Sequence, residues 1–144
     1  MGNIENKLKP HYLCFTSGLF SVVLIIYFLS DNKILEKNIL ASFLFLCLIL
    51  SQLFWYNPIQ NSFMHNIDGI VAKTNVILFF LYTLFYKKLS TNVLFLYLLL
   101  STLSVYAFIR GKYYSYKEWC CDDHLFNHSL VHIGAFFAAM YVFI

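Results

Sequence analysis

Three histidines in the last apolar segment have the spacing in this chain best suited to chemistry. His124, His128 and His132 follow one another at intervals of four residues, and this spacing places their side chains in one row along an α-helix. Two histidines four residues apart can direct both imidazoles at one metal ion, as they do in helical zinc sites. The pair His128 and His132 therefore indicates a metal site. His124 lies where the helix is only beginning, so we expect it in the preceding loop.

A second group of polar side chains lies around the start of the third apolar segment. His65 and Asp68 are three residues apart and so share one helix face, and Asn75 continues that stripe two turns further. Ser51 lies shortly before the loop that precedes this segment. Polar side chains at membrane depth are costly, so they mark candidate functional sites. A structural explanation stays open, in which the histidines lie at the interface and Asp68 stabilises a helix N-terminus.

The composition is that of a membrane protein. Of the 144 residues, 60% are hydrophobic and 12% are charged, with a mean hydropathy of +0.69, whereas soluble domains carry about 25% charged residues. So short a chain has too much surface for its core to hide this excess, and lipid must cover it. The net charge of +3 comes without a basic stripe, which argues against a nucleic-acid partner.

The apolar segments predict an all-α integral membrane protein, a bundle of about five transmembrane helices in a single domain, residues 1–144. A transmembrane helix needs about 20 mainly apolar residues, and helices satisfy the backbone of such segments internally. Asn57–Pro58 ends the second segment, because proline cannot continue a helix without losing a hydrogen bond. The predicted helices cover residues 12–30, 39–56, 63–86, 93–109 and 125–144. The chain is thus predicted to be multi-pass, in a membrane that the sequence does not identify.

The helix count brings the two polar groups together. With five spans, the loops after the second and the fourth helix lie on the same side of the membrane. Ser51, His65 and Asp68 adjoin the first of these loops, whereas His128 and His132 adjoin the second. We therefore expect all five residues at similar depth in one leaflet.

These five residues resemble the pattern of the membrane-hydrolase superfamily that contains the alkaline ceramidases and the adiponectin/progestin-type receptors. That pattern has a serine late in one helix, a nearby histidine, an aspartate, and a histidine pair four residues apart in the last helix. The stretch 127–134, Asn-His-Ser-Leu-Val-His-Ile-Gly, is similar to the family's final helix. The chain departs from the family in two respects. It has room for about five helices where the family has seven, and it has Trp55 where the family has a histidine, four residues after the serine.

The resemblance implies a zinc-dependent hydrolase that acts on an amide or ester bond of a membrane lipid. It implies His65, His128 and His132 as zinc ligands, with a fourth position left for water. Zinc would lower the pKa of that water and polarise the scissile carbonyl. Asp68 would act as the base or orient the ligands, and Ser51 would donate to the developing oxyanion.

Two other functions stay open from the sequence. The chain is also consistent with a non-enzymatic membrane protein that assembles with itself or with a membrane-protein partner, its polar stripe joining helices. A proton or ion pathway built on the same Asp and His residues is the third interpretation. The non-enzymatic function predicts a protein without stoichiometric metal. The proton or ion pathway predicts a flux that depends on pH.

Overall fold

The computed structural model describes residues 9–31 and 33–144, and five α-helices account for most of them. They are α1 (His11–Leu29), α2 (Leu35–Tyr56), α3 (Phe63–Tyr86), α4 (Thr91–Lys117) and α5 (Asp122–Phe143). Each is long and apolar enough to cross a membrane. The predicted all-α class and the predicted helix count are confirmed for the described part of the chain, which contains no strand.

Three helices, α2, α4 and α5, extend by three or more residues beyond the boundaries predicted from hydropathy, and α2 begins at Leu35 rather than at 39. α4 continues to Lys117 rather than ending at 109, so most of the long loop expected before α5 is helical. The extension is polar, and basic and tyrosine side chains four residues apart stabilise it by cation–π contacts. These pairs are Arg110 with Tyr114, Lys112 with Tyr116, and Lys117 with Tyr113, with distances to the ring centroids of 4.9, 5.8 and 4.4 Å.

The expectation that His124 lies in a loop is wrong. α5 begins at Asp122, so His124 is in its first turn and is only 4% exposed. Asp122 and Asp123 open the helix, where negative charge is favourable next to the positive end of the helix dipole. The apolar run begins later than the helix itself, and hydropathy alone therefore placed this start too late.

Four of the helices surround a common interior and the fifth lies outside it. α1 packs against α2 and α5, and α3 packs against the same two helices. α4 packs almost wholly against α5. Gly134 makes this approach close, because a Cβ built there would lie 1.9 Å from Ser104 Oγ. The side chains of α1, α2, α3 and α5 therefore form the interior of the bundle.

The interior is layered along the bundle. A small aromatic cluster of Leu13, Phe54, Trp55 and Leu125 lies at the end that carries the loops 57–62 and 118–121, which we call the histidine end. A larger apolar core, with Phe20, Leu44, Phe79 and Ala139 among its members, extends toward the end that carries the loops 30–34 and 87–90. We call the latter the lysine end, after Lys33, Lys37, Lys87 and Lys88. On each interior helix, polar residues occupy the turn between the two apolar clusters.

Candidate functional site

All four interior helices contribute a buried polar side chain to the layer between the two clusters. These side chains are Thr16 on α1, Ser51 on α2, Asp68 on α3 and His132 on α5, which are 3, 2, 5 and 6% exposed. Thr16, Ser51 and Asp68 each lie five residues from the histidine end of their helix, about 7.5 Å along the axis at 1.5 Å per residue. Ser51 and Asp68 thus lie in one layer with Thr16, and His132 joins this layer through its 2.9 Å contact with Thr16.

Ser51 and Asp68 form a buried hydrogen bond between α2 and α3. Ser51 Oγ lies 2.7 Å from Asp68 Oδ1, and an ionised carboxylate only accepts hydrogen bonds, so the serine hydroxyl donates. The only proton of that hydroxyl is therefore committed to Asp68. Ser51 positions the carboxylate in this arrangement and is not free to donate to an oxyanion. No basic side chain of the described residues forms an ion pair with Asp68.

His132 is joined to α1 through Thr16. Thr16 Oγ1 lies 2.9 Å from His132 Nδ1 and 3.2 Å from the backbone oxygen of Leu13. A carbonyl oxygen accepts only, so both contacts are satisfied at once when the hydroxyl donates to Leu13 and accepts from the Nδ1–H of His132. This tautomer leaves the lone pair of His132 on Nε2, the nitrogen available to a proton or a metal ion.

His128 lies between the other two histidines of α5. Its ring centroid is 4.9 Å from that of His132 and 5.9 Å from that of His124, and both ring pairs meet nearly at right angles. Trp55 packs against the same ring, with the centroids 4.8 Å apart. No other described residue forms a hydrogen bond with His128. The predicted row of imidazoles is therefore formed, and it ends at Thr16 and at the ring of Phe20, 6.0 Å from that of His132.

His65 and His124 make the same backbone contact in two different loops. The backbone N–H of Asn61 donates to His65 Nδ1 at 3.0 Å, and that of Cys120 donates to His124 Nδ1 at 3.2 Å. Both donor residues have a left-handed backbone, with φ of 60° and 59°. A neutral imidazole that accepts at Nδ1 carries its proton on Nε2. Both histidines therefore present an N–H group, and neither has a free nitrogen lone pair.

The same two histidines lie on either side of Trp119. The Trp119 ring is 5.1 Å from His65 and 4.9 Å from His124, and His65 also stacks on Phe54 at 5.1 Å. Among the described residues, His65 makes its ring contacts with Phe54 and Trp119 and none with His128 or His132. The structure brings His128 and His132 together, and it places His65 with His124 in the aromatic cluster.

These contacts decide which residues fit a metal ion. His128 and His132 fit as a pair, since they adjoin and both have a nitrogen free. His65 does not complete the set in this arrangement, because the backbone of Asn61 occupies its Nδ1 lone pair. In residues 9–31 and 33–144, no group of three His, Cys, Asp or Glu side chains is arranged to hold a metal ion. The three-histidine site that the resemblance implies stays a prediction.

Trp55 is a candidate site residue that the sequence analysis did not select. Its side chain is 1% exposed, and Nε1 has no hydrogen-bond partner among the described residues. An indole N–H can only donate, and a buried donor without an acceptor is costly. Trp55 lies one helical turn after Ser51, and its ring contacts that of His128. Its unpaired N–H group therefore lies in the part of the bundle that contains Ser51 and the histidine row. The feature of the sequence that could have indicated Trp55 is its position four residues after Ser51, on the same side of one helix.

Comparisons with protein-family models, with curated proteins and with solved structures find no match for this chain.

Proposed function

We propose that the chain is a membrane-embedded hydrolase that cleaves an amide or ester bond of a lipid in the leaflet of its histidine end. The buried hydrogen bond between Ser51 and Asp68 carries this proposal. A carboxylate in a membrane interior is costly, and an ionisable residue there is by default a functional-site hypothesis. A purely structural contact between α2 and α3 is achieved at lower cost by a neutral side chain.

The proposed reaction uses Asp68 as the base. A water molecule gives a proton to the carboxylate as its oxygen attacks the lipid carbonyl carbon. The proton then passes to the leaving amine or alcohol as the bond to it breaks, which releases a fatty acid. Ser51 acts as a positioning residue, because its hydroxyl holds one carboxylate oxygen in place. General acid–base catalysis of this kind contributes about 10²–10⁴-fold.

The oxyanion donor in this proposal is Trp55. The Ser51 proton is used by Asp68, whereas the Trp55 N–H is buried and has no described partner. A hydrogen bond from the indole to the carbonyl oxygen strengthens as negative charge develops there, which lowers the barrier. The proposal thus assigns a different donor from the serine that the resemblance implied.

Zinc is the cofactor that the resemblance implies, and His128 and His132 are the residues that would hold it. A metal ion bound there would supply a Lewis acid able to polarise the scissile carbonyl. The contact of Thr16 with His132 Nδ1 leaves Nε2 of that ring free for the ion, in the way that outer contacts orient histidine ligands in metal sites.

A proton or ion pathway through one chain has weaker support. The histidine row ends at Thr16 and Phe20, and the layer that follows is a mainly apolar core that includes Val23, Leu24 and Leu44. Asn75 and Thr83 of α3 are buried polar side chains beyond the polar layer. Ions and protons need polar groups or water across the whole membrane. A row of imidazoles that ends inside the bundle is better suited to a reaction site within one leaflet than to a pathway across the membrane.

Release of fatty acid is the direct test. The purified chain in lipid nanodiscs is incubated with a panel of N-acylated sphingoid bases, phospholipids and acylglycerols, and free fatty acid is quantified by mass spectrometry. We expect release from one class, and loss of that release in the His128→Ala/His132→Ala variant. Release no faster than from empty nanodiscs with every class of lipid would refute the proposed function.

A further inference from the structure

Lys73 is a basic side chain of α3 that the proposed reaction does not use. It lies ten residues after Phe63, the first residue of the helix, so its backbone is about 15 Å from the histidine end at 1.5 Å per residue. The hydrocarbon core of a bilayer is about 30 Å thick, which places Lys73 near its middle. The side chain is exposed and forms no hydrogen bond or ion pair with a described residue. A charged group at this depth is costly and indicates a functional role.

The side chain of Lys73 extends toward the histidine end. Side chains of an α-helix lean toward its N-terminus, and the N-terminus of α3 lies at the histidine end. Lys73 therefore passes over Gly69, which is four residues earlier and about 6 Å nearer that end. The charge of Lys73 acts on His65, a further turn along, in agreement with this direction. The ammonium group thus reaches about the depth of Gly69 and the adjacent Asp68, which is still about 9 Å from the end of the helix.

Gly69 leaves open space beside Lys73. Outside its immediate helix backbone, no described atom lies within 4 Å of a Cβ built on Gly69, so the packing of the helices does not require a glycine there. Glycine inside a helix is less favourable than alanine, but it lets another molecule come close to the backbone. The position therefore suits a ligand that lies along α3 next to Lys73.

The open space lies on the least closely packed side of the bundle interior. Residues 69, 73, 76 and 80 share one face of α3, because they are spaced by three or four residues. Phe80 closes this face toward the lysine end, where its ring lies 6.0 Å from that of Tyr97 on α4. Val76 on the same face is exposed, and α3 packs less closely against α5 than the other neighbouring helices of the interior pack. The space at Gly69 therefore opens to the membrane at the depth of Asp68.

We infer that Lys73 binds the carboxylate of a fatty acid, with the carboxylate in the space over Gly69 and the chain along the exposed apolar side chains of α3. Ile70, Val76 and Ile77 supply this apolar surface. The inference rests on the proposed function, because hydrolysis of a lipid amide or ester at Asp68 produces a fatty acid at the same depth. An ionised fatty acid is disfavoured next to Asp68 by the like charge, whereas Lys73 attracts it. A phosphate headgroup lies outside the hydrocarbon core, further out than the Lys73 ammonium reaches.

Photolabelling of the full chain in nanodiscs tests the inference without turnover. A fatty acid with a diazirine close to its carboxylate is added, and the labelled peptides are quantified by mass spectrometry. In the wild type the label should fall on α3 within residues 69–77. Lys73→Met removes the charge and keeps an apolar side chain, and it should reduce labelling about five-fold, the effect of one lysine near a membrane surface. Labelling of the Lys73 variant equal to that of the wild type would overturn the inference.

Lys88→Met is the matched control, because Lys88 is an exposed lysine just beyond the other end of α3. An equal loss of labelling in the two lysine variants would overturn the inference, since general surface charge would then explain the binding. Gly69→Leu fills the open space and should reduce labelling while Lys73 is still present, whereas the smaller Gly69→Ala should retain it. Undiminished labelling of the leucine variant would overturn the position over Gly69.

Two competitors test the chemistry of the ligand. The uncharged methyl ester of the same fatty acid should compete poorly with the label, and competition as strong as that of the free acid would overturn the carboxylate assignment. Phosphatidylglycerol should also compete poorly. If it displaces the label as well as the free acid does, the site binds anionic headgroups in general and the inference fails.

The labelling experiment also separates this inference from the proposed function. The fatty acid is added from outside, so its binding does not require hydrolysis. A chain that binds the fatty acid through Lys73 but releases none from any lipid supports the binding site and refutes only the hydrolase. A chain that releases fatty acid but is labelled equally with and without the Lys73 charge remains a hydrolase and overturns this inference.

Discussion

Ser51 on α2 and Asp68 on α3 are joined by a hydrogen bond of 2.7 Å in the interior of the bundle. Both side chains are almost fully buried, at 2 and 5% exposed. The contact has two consequences. It directs the carboxylate at a fixed point in the polar layer, and together with the hydrogen bond from Asn75 Nδ2 to the backbone oxygen of Phe43 it joins α2 to α3.

Removal of that hydroxyl should destabilise the protein. In Ser51→Ala the buried carboxylate loses its only described donor, which costs about 1–3 kcal/mol. Ser42→Ala is the matched control, because Ser42 is exposed on the same helix and bonds only to the backbone oxygen of Asn38. Thermal unfolding in detergent should show a lower midpoint for the Ser51 variant only. Equal midpoints for the two variants would contradict the role of the hydrogen bond.

Thr16 and His132 should be energetically coupled. A double-mutant cycle of Thr16→Val and His132→Ala should give a coupling free energy of about 1 kcal/mol, the net contribution of one hydrogen bond. Thr102→Val serves as the control, since the exposed Thr102 hydroxyl bonds to Leu98 of its own helix. If the two substitutions have additive effects on the free energy of unfolding, the contact between Thr16 and His132 contributes nothing to stability.

Metal content should distinguish the histidines from one another. If zinc binds, elemental analysis should find it in His65→Ala, because the Nδ1 of His65 is engaged with the backbone of Asn61. The His128→Ala/His132→Ala variant should lose it. Loss of zinc in the His65 variant would instead support the three-histidine set that the resemblance implies. For His65 to bind zinc through Nδ1, its hydrogen bond with the backbone N–H of Asn61 would have to break.

Trp55→Phe should impair turnover without removing the aromatic ring. Loss of one oxyanion donor typically reduces kcat by about 10²–10³-fold, and the lipid KM should change little. Trp119→Phe is the control, because the Trp119 N–H is already bonded to the backbone oxygen of Pro58 at 3.3 Å. A similar kcat for Trp55→Phe and the wild type would exclude the indole as a donor.

Much of the fold could be predicted from hydropathy, whereas local contacts could not. Apolar runs give the number of helices, and helix direction placed Ser51 and Asp68 at the same depth. Hydropathy does not detect a polar helical extension, so the end of α4 at Lys117 was missed. The roles of His65 and His124 depend on the left-handed backbone of Asn61 and Cys120. A cysteine in that conformation is unusual, and nothing in the spacing of residues indicates it.

The most direct test of the central claim compares two carboxylates in one assay. Asp68→Asn and Asp123→Asn both replace a carboxylate by an amide, but Asp123 is exposed in the first turn of α5. Fatty-acid release from the preferred lipid should fall by about 10²-fold or more in the Asp68 variant, while the Asp123 variant retains the wild-type rate. Both variants should elute as folded protein. Equal rates in the two variants would contradict a catalytic role for Asp68, and the Ser51–Asp68 pair would then be a structural contact between helices.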